Sequence, residues 1–426
     1  MIKGALVNVL DFGATGDGIT DDTLAIQAAL DSAITGTVFF PTGTYLTGQL
    51  TPPVGTSLVG SGLSSTTIKL KNNANPTAII LTPNFASLTG TTSLGGTFNS
   101  QISDLTIDGN KANNTSGYGI CLYGKSFRII NVRVQNAKQI GIYTEYQGGD
   151  DFTTPLKNLE PTLLNVSTIL CDGDGMVNKG PHDAVVTNFI SYGNGGWGWK
   201  VYKAVNASLV NTFVNVSGGI FVGKDGIYSG VINGSEIVGS SGTGWGCLLE
   251  SGGNNISAGS FAGPIGLEIQ ANNNTINGVV ANSAIGVKFN GASSNARLDL
   301  TMFNNVLWFD VLNIGTTSSY VVVYGDDSTG TRQNSTLKGT WIFSGKSSNS
   351  NQVNGEFIVI GGRLRPPITD YTVNACGLFY STGIPTSGNF LRGDRIFNTL
   401  PSVGASKGWL CTVAGTPGTW VSEGNL

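Results

Sequence analysis

Apolar and polar residues alternate in short segments through the middle of the chain, and most of these segments contain a glycine at their start. The series comprises GYGICLYG (117–124), IGIYTEYQG (140–148), GDGMVNKG (173–180), GWGWKVYKA (196–204), GGIFVGKD (218–225), GWGCLLESG (244–252), IGLEIQA (265–271) and IGVKFNG (285–291). Alternation with a period of two residues is typical of β-strands that bury one face. Between these segments lies a second set of alternating strands, which includes ISDLTIDG (102–109) and IINVRVQN (129–136).

The glycines set the period of this repeat. They are Gly119, Gly141, Gly175, Gly198, Gly219, Gly246, Gly266 and Gly286. The gaps run from 20 residues (Gly246 to Gly266) to 34 residues (Gly141 to Gly175). Such a repeat is too short for a propeller blade and lacks the fixed leucines of a leucine-rich repeat. It predicts an all-β fold, a right-handed parallel β-helix, in which each coil stacks roughly 4.8 Å above the previous one.

The segment VNVLDFGATGDGITDDTLAIQAAL (7–30) departs from this pattern and places several aspartates among glycines. Thr20 or Asp21 suits an N-cap, and Asp22 in the first turn suits the positive end of a helix dipole. We predict a helix over residues 22–33 that closes the open end of the stack, because unpaired strand edges need a cap. Its predicted apolar stripe comprises Leu24, Ala25, Ile26, Ala28 and Ala29.

Composition and charge narrow the choice of function. Glycine makes up 62 of 426 residues, about twice the usual share. The net charge of −3 gives no electrostatic support for a nucleic-acid partner. No apolar run reaches membrane-spanning length, so we expect no membrane insertion. The five cysteines are scattered without metal or redox spacing, which predicts reduced, buried thiols. We predict no metal and no cofactor.

The regular pattern ends near Gly325, where GDDSTGTRQNSTLKG is polar and rich in turn residues. Beyond it, TWIFSG, GEFIVIGG, GLFYSTG, GDRIFN and GWLCTV predict antiparallel strands with short connections. The predicted domains are an N-terminal cap (1–36), a β-helix (37–325) and a C-terminal β domain (326–426).

Two segments resemble a known group of proteins. VNVLDFGATGDGITDDTLAIQAAL followed by GTVFFPTGTYLTGQL resembles the N-terminal segment of the pectate-lyase-like β-helix superfamily, and within it bacteriophage tailspikes and polysaccharide depolymerases. The C-terminal GNFLRGDRIFNTLPSVGASKGWLCTVAGTPGTWVSEGNL resembles a terminal module found on many tailspikes. The resemblance through Leu50 is specific for the fold and weak for the reaction.

This resemblance implies a homotrimer that binds and cleaves bacterial surface polysaccharide, either capsule or O-antigen, at the bacterial surface. It implies that the β-helix (37–325) is the glycan-binding and catalytic domain, and that the C-terminal domain (326–426) serves trimerisation or carbohydrate binding. It implies a place in the virion tail, attached to a tail or baseplate protein. Tailspikes usually carry an N-terminal anchoring domain, whereas this sequence begins almost at the cap. We therefore expect either a shortened chain or attachment through another protein.

Strand alternation divides the glycine-marked segments into inward and outward side chains. The predicted inward set is Ile120, Leu122, Ile142, Met176, Trp199, Val201, Leu249, Leu267, Ile269, Val287 and Phe289. The outward set is Cys121, Tyr123, Tyr143, Glu145, Val177, Lys179, Lys200, Tyr202, Phe221, Leu248, Glu250, Glu268, Gln270, Lys288 and Asn290. Aromatic and charged residues share the outward face, which suits an extended glycan. An ordinary solvated face or a trimer interface is the alternative.

Glycoside hydrolysis needs two carboxylates, one protonated and one ionised. Glu250 and Glu268 are predicted as this pair, on successive coils with Cα atoms roughly 8 Å apart. Glu145 is a further candidate, although a surface pair with Lys179 is an alternative role. Asp174, in the turn sequence LCDGDGM, is a second choice because Asp-Gly is common in turns for conformational reasons.

The predicted substrate-binding residues are Tyr143, Lys179, Trp197, Lys200, Tyr202, Phe221 and Trp245. Trp197 and Trp245 share one register position, which favours a common place at the edge of the binding face. The insertion QGGDDFTTPLKNLE (147–160) is predicted to form a loop over the same edge. His182, the only histidine, follows Pro181 in a predicted turn, where a catalytic role is the less favoured interpretation.

These features favour an enzyme that cleaves polysaccharide within the chain by carboxylate-based hydrolysis. One alternative is a polysaccharide lyase, which acts by β-elimination on a uronic acid. Another is a tail adhesin that binds glycan without cleaving it, because few ionisable groups line the outward face.

Overall fold

The computed structural model describes residues 6–147, 161–181 and 184–202, and also 378–386, 390 and 392–426. Between them it describes 208–210, 213–217, 220–222, 231–233, 236–239, 245–250, 255–271, 274–281, 283–290, 297–303, 307–312, 319–326 and 341–344. The chain forms two compact units, Met1–Ser260 and Phe261–Leu426.

Short strands make up most of the first unit. Up to residue 125 its elements are β1 (Val7–Asn8), a 3-10 turn (Val9–Phe12), β2 (Asp17–Asp21), α1 (Thr23–Ser32), β3 (Thr37–Phe40), β4 (Gly43–Thr47), β5 (Ser57–Gly60), β6 (Thr66–Leu70), β7 (Ala78–Leu81), α2 (Phe85–Leu88), β8 (Thr97–Phe98), β9 (Gln101–Asp108), a 3-10 turn (Lys111–Asn113) and β10 (Tyr118–Lys125). They continue as β11 (Arg128–Gln135), β12 (Ile142–Glu145), β13 (Thr162–Ile169), β14 (Met176–Lys179), β15 (Val185–Tyr192), β16 (Trp199–Val201), β17 (Ser208–Val210), β18 (Phe213–Ser217), β19 (Ile220–Val222), β20 (Val231–Asn233), β21 (Glu236–Gly239), β22 (Trp245–Leu249) and β23 (Asn255–Ala262), which crosses the boundary between the units.

These strands build two parallel sheets within the first unit. Sheet 1 contains β9, β11, β13 and β15 as successive parallel neighbours, with the strands of the N-terminal coils before them. Sheet 2 contains β7, β10, β12, β14, β16, β19 and β22 in that order, again all parallel. The chain passes from one sheet to the other and back in each coil. This confirms the predicted parallel β-helix, because the repeats of this unit are successive coils that pair in parallel.

The glycine marks that the structure describes lie where the chain enters sheet 2, close to the end of sheet 1. A Cβ atom on Gly175 would lie 2.4 Å from Ser191 Oγ, 2.5 Å from Thr168 Oγ1 and 2.6 Å from the Gly198 carbonyl oxygen. A Cβ atom on Gly141 would lie 2.6 Å from the Gly175 carbonyl oxygen. Because no side chain fits this corner, the coil period is visible in the sequence as a glycine period.

The strands of sheet 1 bend at a ladder of stacked amides that the sequence analysis missed. Asp104, Asn131, Asn165 and Asn188 occupy one register position with φ between 52° and 57°, a left-handed conformation that asparagine tolerates. Each asparagine donates a side-chain hydrogen bond to the residue on the previous coil, at 3.0, 2.9 and 2.8 Å in chain order. The ladder therefore links neighbouring coils at the bend.

The N-terminal cap has the predicted helix with a different N-cap and a different buried face. Asp22 is the N-cap residue, and its carboxylate turns away from the helix to accept hydrogen bonds from Thr15 N, Thr15 Oγ1 and Gly16 N. The buried residues of α1 are Ile26, Ala29 and Leu30. The predicted stripe was wrong at Leu24 and Ala28, which are exposed. The aspartates are structural, as predicted, because they hold the turns around the helix.

The second unit begins with β24 (Ile265–Ile269), β25 (Thr275–Ala281), β26 (Ile285–Asn290), β27 (Arg297–Phe303), β28 (Leu307–Leu312), β29 (Ser319–Asp326) and β30 (Trp341–Ser344). Parallel pairing joins β24, β26 and β28 in one sheet, and β25, β27, β29 and β30 in another. The prediction that TWIFSG starts an antiparallel domain was wrong, since Trp341–Ser344 pairs parallel to β29. The domain boundary at 325/326 stays a prediction.

The C-terminal part of this unit contains β31 (Leu378–Ser381), β32 (Arg395–Asn398), β33 (Gly408–Val413) and β34 (Thr419–Ser422). GDRIFN and GWLCTV pair antiparallel as β32 and β33, as predicted, and β34, which was not predicted, extends this pairing. The antiparallel prediction for GLFYSTG was wrong, because β31 pairs with β32 in parallel. Ile396, Cys411 and Trp420 form the core of this small sheet, with Phe390 and Trp409 packed against it. The segment GEFIVIGG (355–362) lies outside the described residues.

The described cysteines match their prediction. Cys121, Cys171 and Cys247 are free and buried, and Cys411 is buried. Burial raises the pKa of the Cys171 thiol to about 12. Cys376 lies outside the described residues.

Candidate functional site

The side chains on the outer side of sheet 2 in the first unit form the candidate site, which we call the outer face. Parallel pairing places Tyr143 beside Val177 and then Lys200 in one column. A second column holds Tyr123, Glu145 and Lys179. Tyr143, Lys179, Lys200 and Tyr202 are all partly exposed, so aromatic rings and ammonium groups share a surface that solvent reaches.

A loop of residues 83–96, which we call the strap, covers one end of the outer face. Its two ends are joined by a hydrogen bond of 2.8 Å between Thr82 Oγ1 and Thr97 Oγ1. The Tyr123 hydroxyl donates to the carbonyl oxygens of Thr91 and Ser93, at 2.9 and 3.0 Å. Phe85 packs edge-on against Tyr143, with ring centroids 5.8 Å apart. The strap therefore covers the outer face at Tyr123 and packs against the side of Tyr143.

Glu145, a predicted catalytic residue, is 2% exposed and lies beneath the strap. Its Oε1 accepts hydrogen bonds from Gly90 N at 2.6 Å and Gln147 Nε2 at 2.9 Å, and its Oε2 accepts one from the Tyr143 hydroxyl. Burial, followed by this hydrogen bond to Glu145, raises the pKa of Tyr143. The phenol therefore keeps its proton and donates it in the hydrogen bond to Glu145.

Lys179 lies between two tyrosine rings. Its Nζ is 5.5 Å from the ring centroid of Tyr143 and 5.6 Å from that of Tyr202, within the range of a cation–π interaction. The predicted surface pair of Glu145 and Lys179 was wrong. The two described residues are register neighbours, but Glu145 is buried and no ion pair joins them.

Asp174, the other carboxylate candidate of this unit, forms a local network with two predicted binding residues. Its Oδ2 lies 2.8 Å from Lys200 Nζ, and its Oδ1 accepts a hydrogen bond of 2.7 Å from Trp197 N. Asp174 precedes β14 and lies five residues before Lys179, the register partner of Glu145. Asp174 contacts Lys200 and Trp197, whereas Glu145 accepts from donors beneath the strap, so these carboxyl groups belong to separate hydrogen-bond networks.

Trp197 and Trp245 come together as the sequence register predicted. Their indole rings stack, with centroids 5.8 Å apart and an interplanar angle of 21°. Trp197 is 8% exposed and Trp245 is partly exposed. Trp199 is buried, as its inward parity predicted.

The predicted pair of Glu250 and Glu268 is divided between the two units. Glu250 follows β22 in the first unit and is partly exposed. In the second unit, Glu268 is 1% exposed, with Oε2 3.4 Å from Lys288 Nζ and Oε1 accepting a hydrogen bond of 2.7 Å from Gln270 Nε2. The pairing of these two glutamates stays a prediction.

Some predicted residues cannot be placed. His182 and the insertion 147–160, apart from Gln147, lie outside the described residues, and so does the side chain of Phe221. Asp172, a turn residue near Asp174, forms ion pairs of 2.8 Å with Lys111 and Lys138. These ion pairs stabilise the turn.

Tyr118 is a site residue that the sequence analysis missed. Its ring lies 6.1 Å from that of Tyr143, and burial, followed by the nearby Cys121 and Asp174, raises the pKa of its phenol. Tyr118 immediately precedes Gly119, just as Trp197 precedes Gly198 and Trp245 precedes Gly246. An aromatic residue directly before a glycine mark is therefore the sequence signal for this position. The sequence analysis applied that signal only to the two tryptophans.

Metal ligands and membrane spans were also sought among the residues that the structure describes. They contain no group of three or more His, Cys, Asp or Glu side chains that could hold a metal ion. None of their helices is long and apolar enough to cross a membrane.

Comparisons with known proteins agree with this architecture. Alginate lyase 7 of Azotobacter vinelandii is 34% identical over 212 residues, which cover 46% of this chain and 23% of that protein. The solved A-module of the A. vinelandii mannuronan C-5 epimerase AlgE6 aligns over 80% of this chain and 99% of its own, with a TM-score of 0.62 and 21% identity. Tailspike protein 2 of the Escherichia coli O157:H7 bacteriophage CAB120 aligns over 76% of this chain and 43% of its own, with a TM-score of 0.50 and 16% identity. At these identities the two solved structures show a shared fold.

The stacked coils and the aromatic, charged outer face define a parallel β-helix protein of the pectate-lyase-like type, as the N-terminal segment predicted. A family model described as Rhamnogalacturonase A/epimerase, pectate lyase-like, matches residues 6–221, just over half of the chain. The chain belongs to this family. It spans less than a quarter of the length of the first curated relatives that it matches.

Proposed function

We propose that this chain is an enzyme that binds and cleaves bacterial surface polysaccharide along the outer face, as part of a phage tail spike. The observation that carries the proposal is the set of partly exposed tyrosines and lysines in adjacent columns, with the stacked Trp197 and Trp245 on the same sheet. Sugar rings stack on aromatic faces, while their hydroxyl and acidic groups need polar partners. Successive coils repeat such contacts along the stack, which suits a polymer.

The family and the relatives support an enzyme rather than a binding protein. The curated relatives are named as an alginate lyase and mannuronan C5-epimerases, and both names describe chemistry on a polysaccharide. The fold shared with a phage tailspike supports the place in a virion tail and action outside the cell, at the bacterial surface. The same proposal includes assembly into a homotrimer and attachment to a tail or baseplate protein.

Hydrolysis by two carboxylates is the first candidate chemistry, with Glu250 and Glu268 as the sequence-based choice. Lys288, close to Glu268, suits a carboxylate that stays ionised as base or nucleophile. We expect Glu250→Gln to lower turnover by at least about a hundredfold without lowering the melting temperature, because Glu250 is partly exposed. Wild-type turnover in this variant would remove Glu250 from the mechanism.

Elimination on a uronic acid is the second candidate, and the similarity to a protein named as an alginate lyase favours it. Lyases need a base and a cation that neutralises the sugar carboxylate, and the outer face offers tyrosines and lysines.

One experiment tests the proposal and separates the two chemistries. The protein is incubated with purified bacterial surface polysaccharides in ¹⁸O-labelled water, and the chain length, ultraviolet absorbance and ¹⁸O content of the products are measured. Shorter chains with ¹⁸O at the new ends indicate hydrolysis, and shorter chains with the absorbance of an unsaturated sugar indicate elimination. Tight binding with unchanged chain length would show a non-catalytic adhesin and refute the enzyme.

A further inference from the structure

Lys179 differs from most other described lysines on this fold in what surrounds its ammonium group. Lys71, Lys111, Lys138, Lys200 and Lys288 each lie within 3.4 Å of a carboxylate oxygen. In the described part of the chain, the Lys179 ammonium has no carboxylate at ion-pair distance and contacts the rings of Tyr143 and Tyr202 instead.

The nearest carboxylate by register is already committed to other donors. Glu145 pairs with Lys179 across β12 and β14. Both oxygens of Glu145 accept hydrogen bonds, from Gly90 N, Gln147 Nε2 and the Tyr143 hydroxyl. This network orients the Tyr143 ring, and the ring in turn flanks the ammonium of Lys179. The arrangement holds a cation in place without neutralising it.

Two ring contacts also change how strongly this cation attracts an anion. The Tyr143 and Tyr202 rings both lie within 5.6 Å of the Lys179 ammonium, and Lys179 is only partly exposed. A charge that is partly shielded from water attracts an opposite charge more strongly than a fully solvated one. The rings supply stacking surface beside the same point.

We propose that Tyr143, Lys179 and Tyr202 form a subsite for a negatively charged group on the polysaccharide, so that the substrate is an acidic glycan. The anion is a carboxylate or a phosphate on the sugar chain, because either accepts hydrogen bonds from an ammonium group. This inference rests on the proposed function, since it uses the same surface. It does not depend on whether the chain is cut by hydrolysis or by elimination.

The test is a set of binding measurements on acidic and modified polysaccharides. Affinities are measured by calorimetry for a panel of purified bacterial surface polysaccharides, for their carboxyl-reduced forms and for their dephosphorylated forms. The proteins are wild type, Lys179→Gln, Lys179→Arg and two controls. Lys71→Gln removes a cation at the N-terminal cap, and Lys125→Gln removes a lysine that contacts the rings of Phe98 and Tyr146 beside the end of the strap.

We expect wild type to bind acidic polysaccharide and Lys179→Gln to bind it at least about tenfold more weakly. Lys179→Arg keeps most of the affinity because it keeps the charge, and both controls bind like wild type. Removing the anion from the glycan should cost wild type the same factor and cost Lys179→Gln almost nothing. Whichever treatment has this effect, reduction or dephosphorylation, identifies the anion.

Three outcomes would overturn the inference. The first is equal affinity of wild type for a glycan and for its uncharged form. The second is an equal loss in Lys179→Gln and Lys125→Gln, which would indicate general attraction to net charge. The third is an additive loss when Lys179→Gln is combined with removal of the anion. Failure of every variant to bind any polysaccharide would instead refute the proposed function, so the two failures are distinguishable.

Discussion

Glu145 shows how the role of a single residue follows from its donors. A carboxylate that accepts hydrogen bonds from a backbone amide, an amide side chain and a phenol is fully occupied while it is buried. We interpret Glu145 as a positioning residue, which holds the strap through Gly90 and the ring of Tyr143 through its hydroxyl. The residue that the sequence offered as a catalytic acid thus has a structural explanation.

This interpretation predicts a loss of stability in Glu145→Gln. Glutamine places an NH₂ group, which donates, where one oxygen of Glu145 accepts a hydrogen bond. At least one buried donor therefore loses its acceptor, which lowers the free energy of unfolding by about 1–3 kcal/mol. We expect a lower melting temperature and faster hydrogen exchange at Gly90. The matched control is Asp31→Asn, because Asp31 accepts a hydrogen bond from Gln27 on an exposed helix face. Equal stability of the two variants would contradict the assignment.

Asp17 gives a prediction about acid sensitivity. Hydrogen bonds from Thr20 N, Ile19 N and the Thr20 hydroxyl lower the pKa of Asp17 from 3.8 to about 2. Between these two values the unfolded chain binds more protons than the folded chain, so stability rises with pH across this range. The contribution of Asp17 is complete above pH 3.8 and is lost as the pH falls towards 2.

We therefore expect Asp17→Asn to have a melting temperature that changes less with pH between 3.8 and 2 than that of wild type. Some slope should persist, because the hydrogen bond from Lys71 lowers the pKa of Asp21 as well. Melting curves at a series of pH values check this. The same slope in both proteins would show that the turn at Asp17 opens before the rest of the fold.

At the scale of elements, the repeat of the glycine marks is the feature that is most directly visible in the sequence. Substituting Gly175 with Ala would place a methyl group 2.4 Å from Ser191 Oγ and 2.6 Å from a backbone carbonyl oxygen. Overpacking of this kind typically costs about 1–3 kcal/mol. Gly383→Ala is the control, because nothing lies within 4 Å of its Cβ position. Chemical denaturation should separate the two variants, and matching midpoints would contradict the close approach of the sheets.

Strand parity predicted the direction of side chains better than their exposure. Ile120, Ile142 and Met176 are buried as predicted, but the outward residues Cys121 and Val177 are also buried. Parity fixes the side of a sheet, whereas exposure depends on what lies above that side. The strap that covers Glu145 comes from residues 83–96, and its contact residue Gly90 is 55 positions from Glu145 in the sequence, so no local pattern shows where it packs.

Other elements were missed for similar reasons. The asparagine ladder depends on the alignment of residues 104, 131, 165 and 188 across coils, and the spacing between them is irregular. The parallel pairing of Trp341–Ser344 was missed because the polar segment before it looked like a boundary. Turn-rich composition marks a connection, and it does not tell whether the next strand joins the same stack.

For the whole molecule, the resemblance to tailspikes predicts an assembly of three chains. We expect a solution mass of about three times 44.2 kDa, measured by sedimentation equilibrium over a range of protein concentrations. The same mass at every concentration would indicate a stable trimer. A mass equal to that of one chain would remove the homotrimer from the proposal and leave the outer face unchanged.

The most direct test of this account is the position of a bound oligosaccharide. A crystal structure of the protein with a fragment of a polysaccharide that it binds should show the sugars on the outer face of sheet 2, in contact with Tyr143, Lys179, Tyr202 or the stacked pair Trp197 and Trp245. A fragment bound along the outer side of sheet 1, with the outer face of sheet 2 empty, would contradict it.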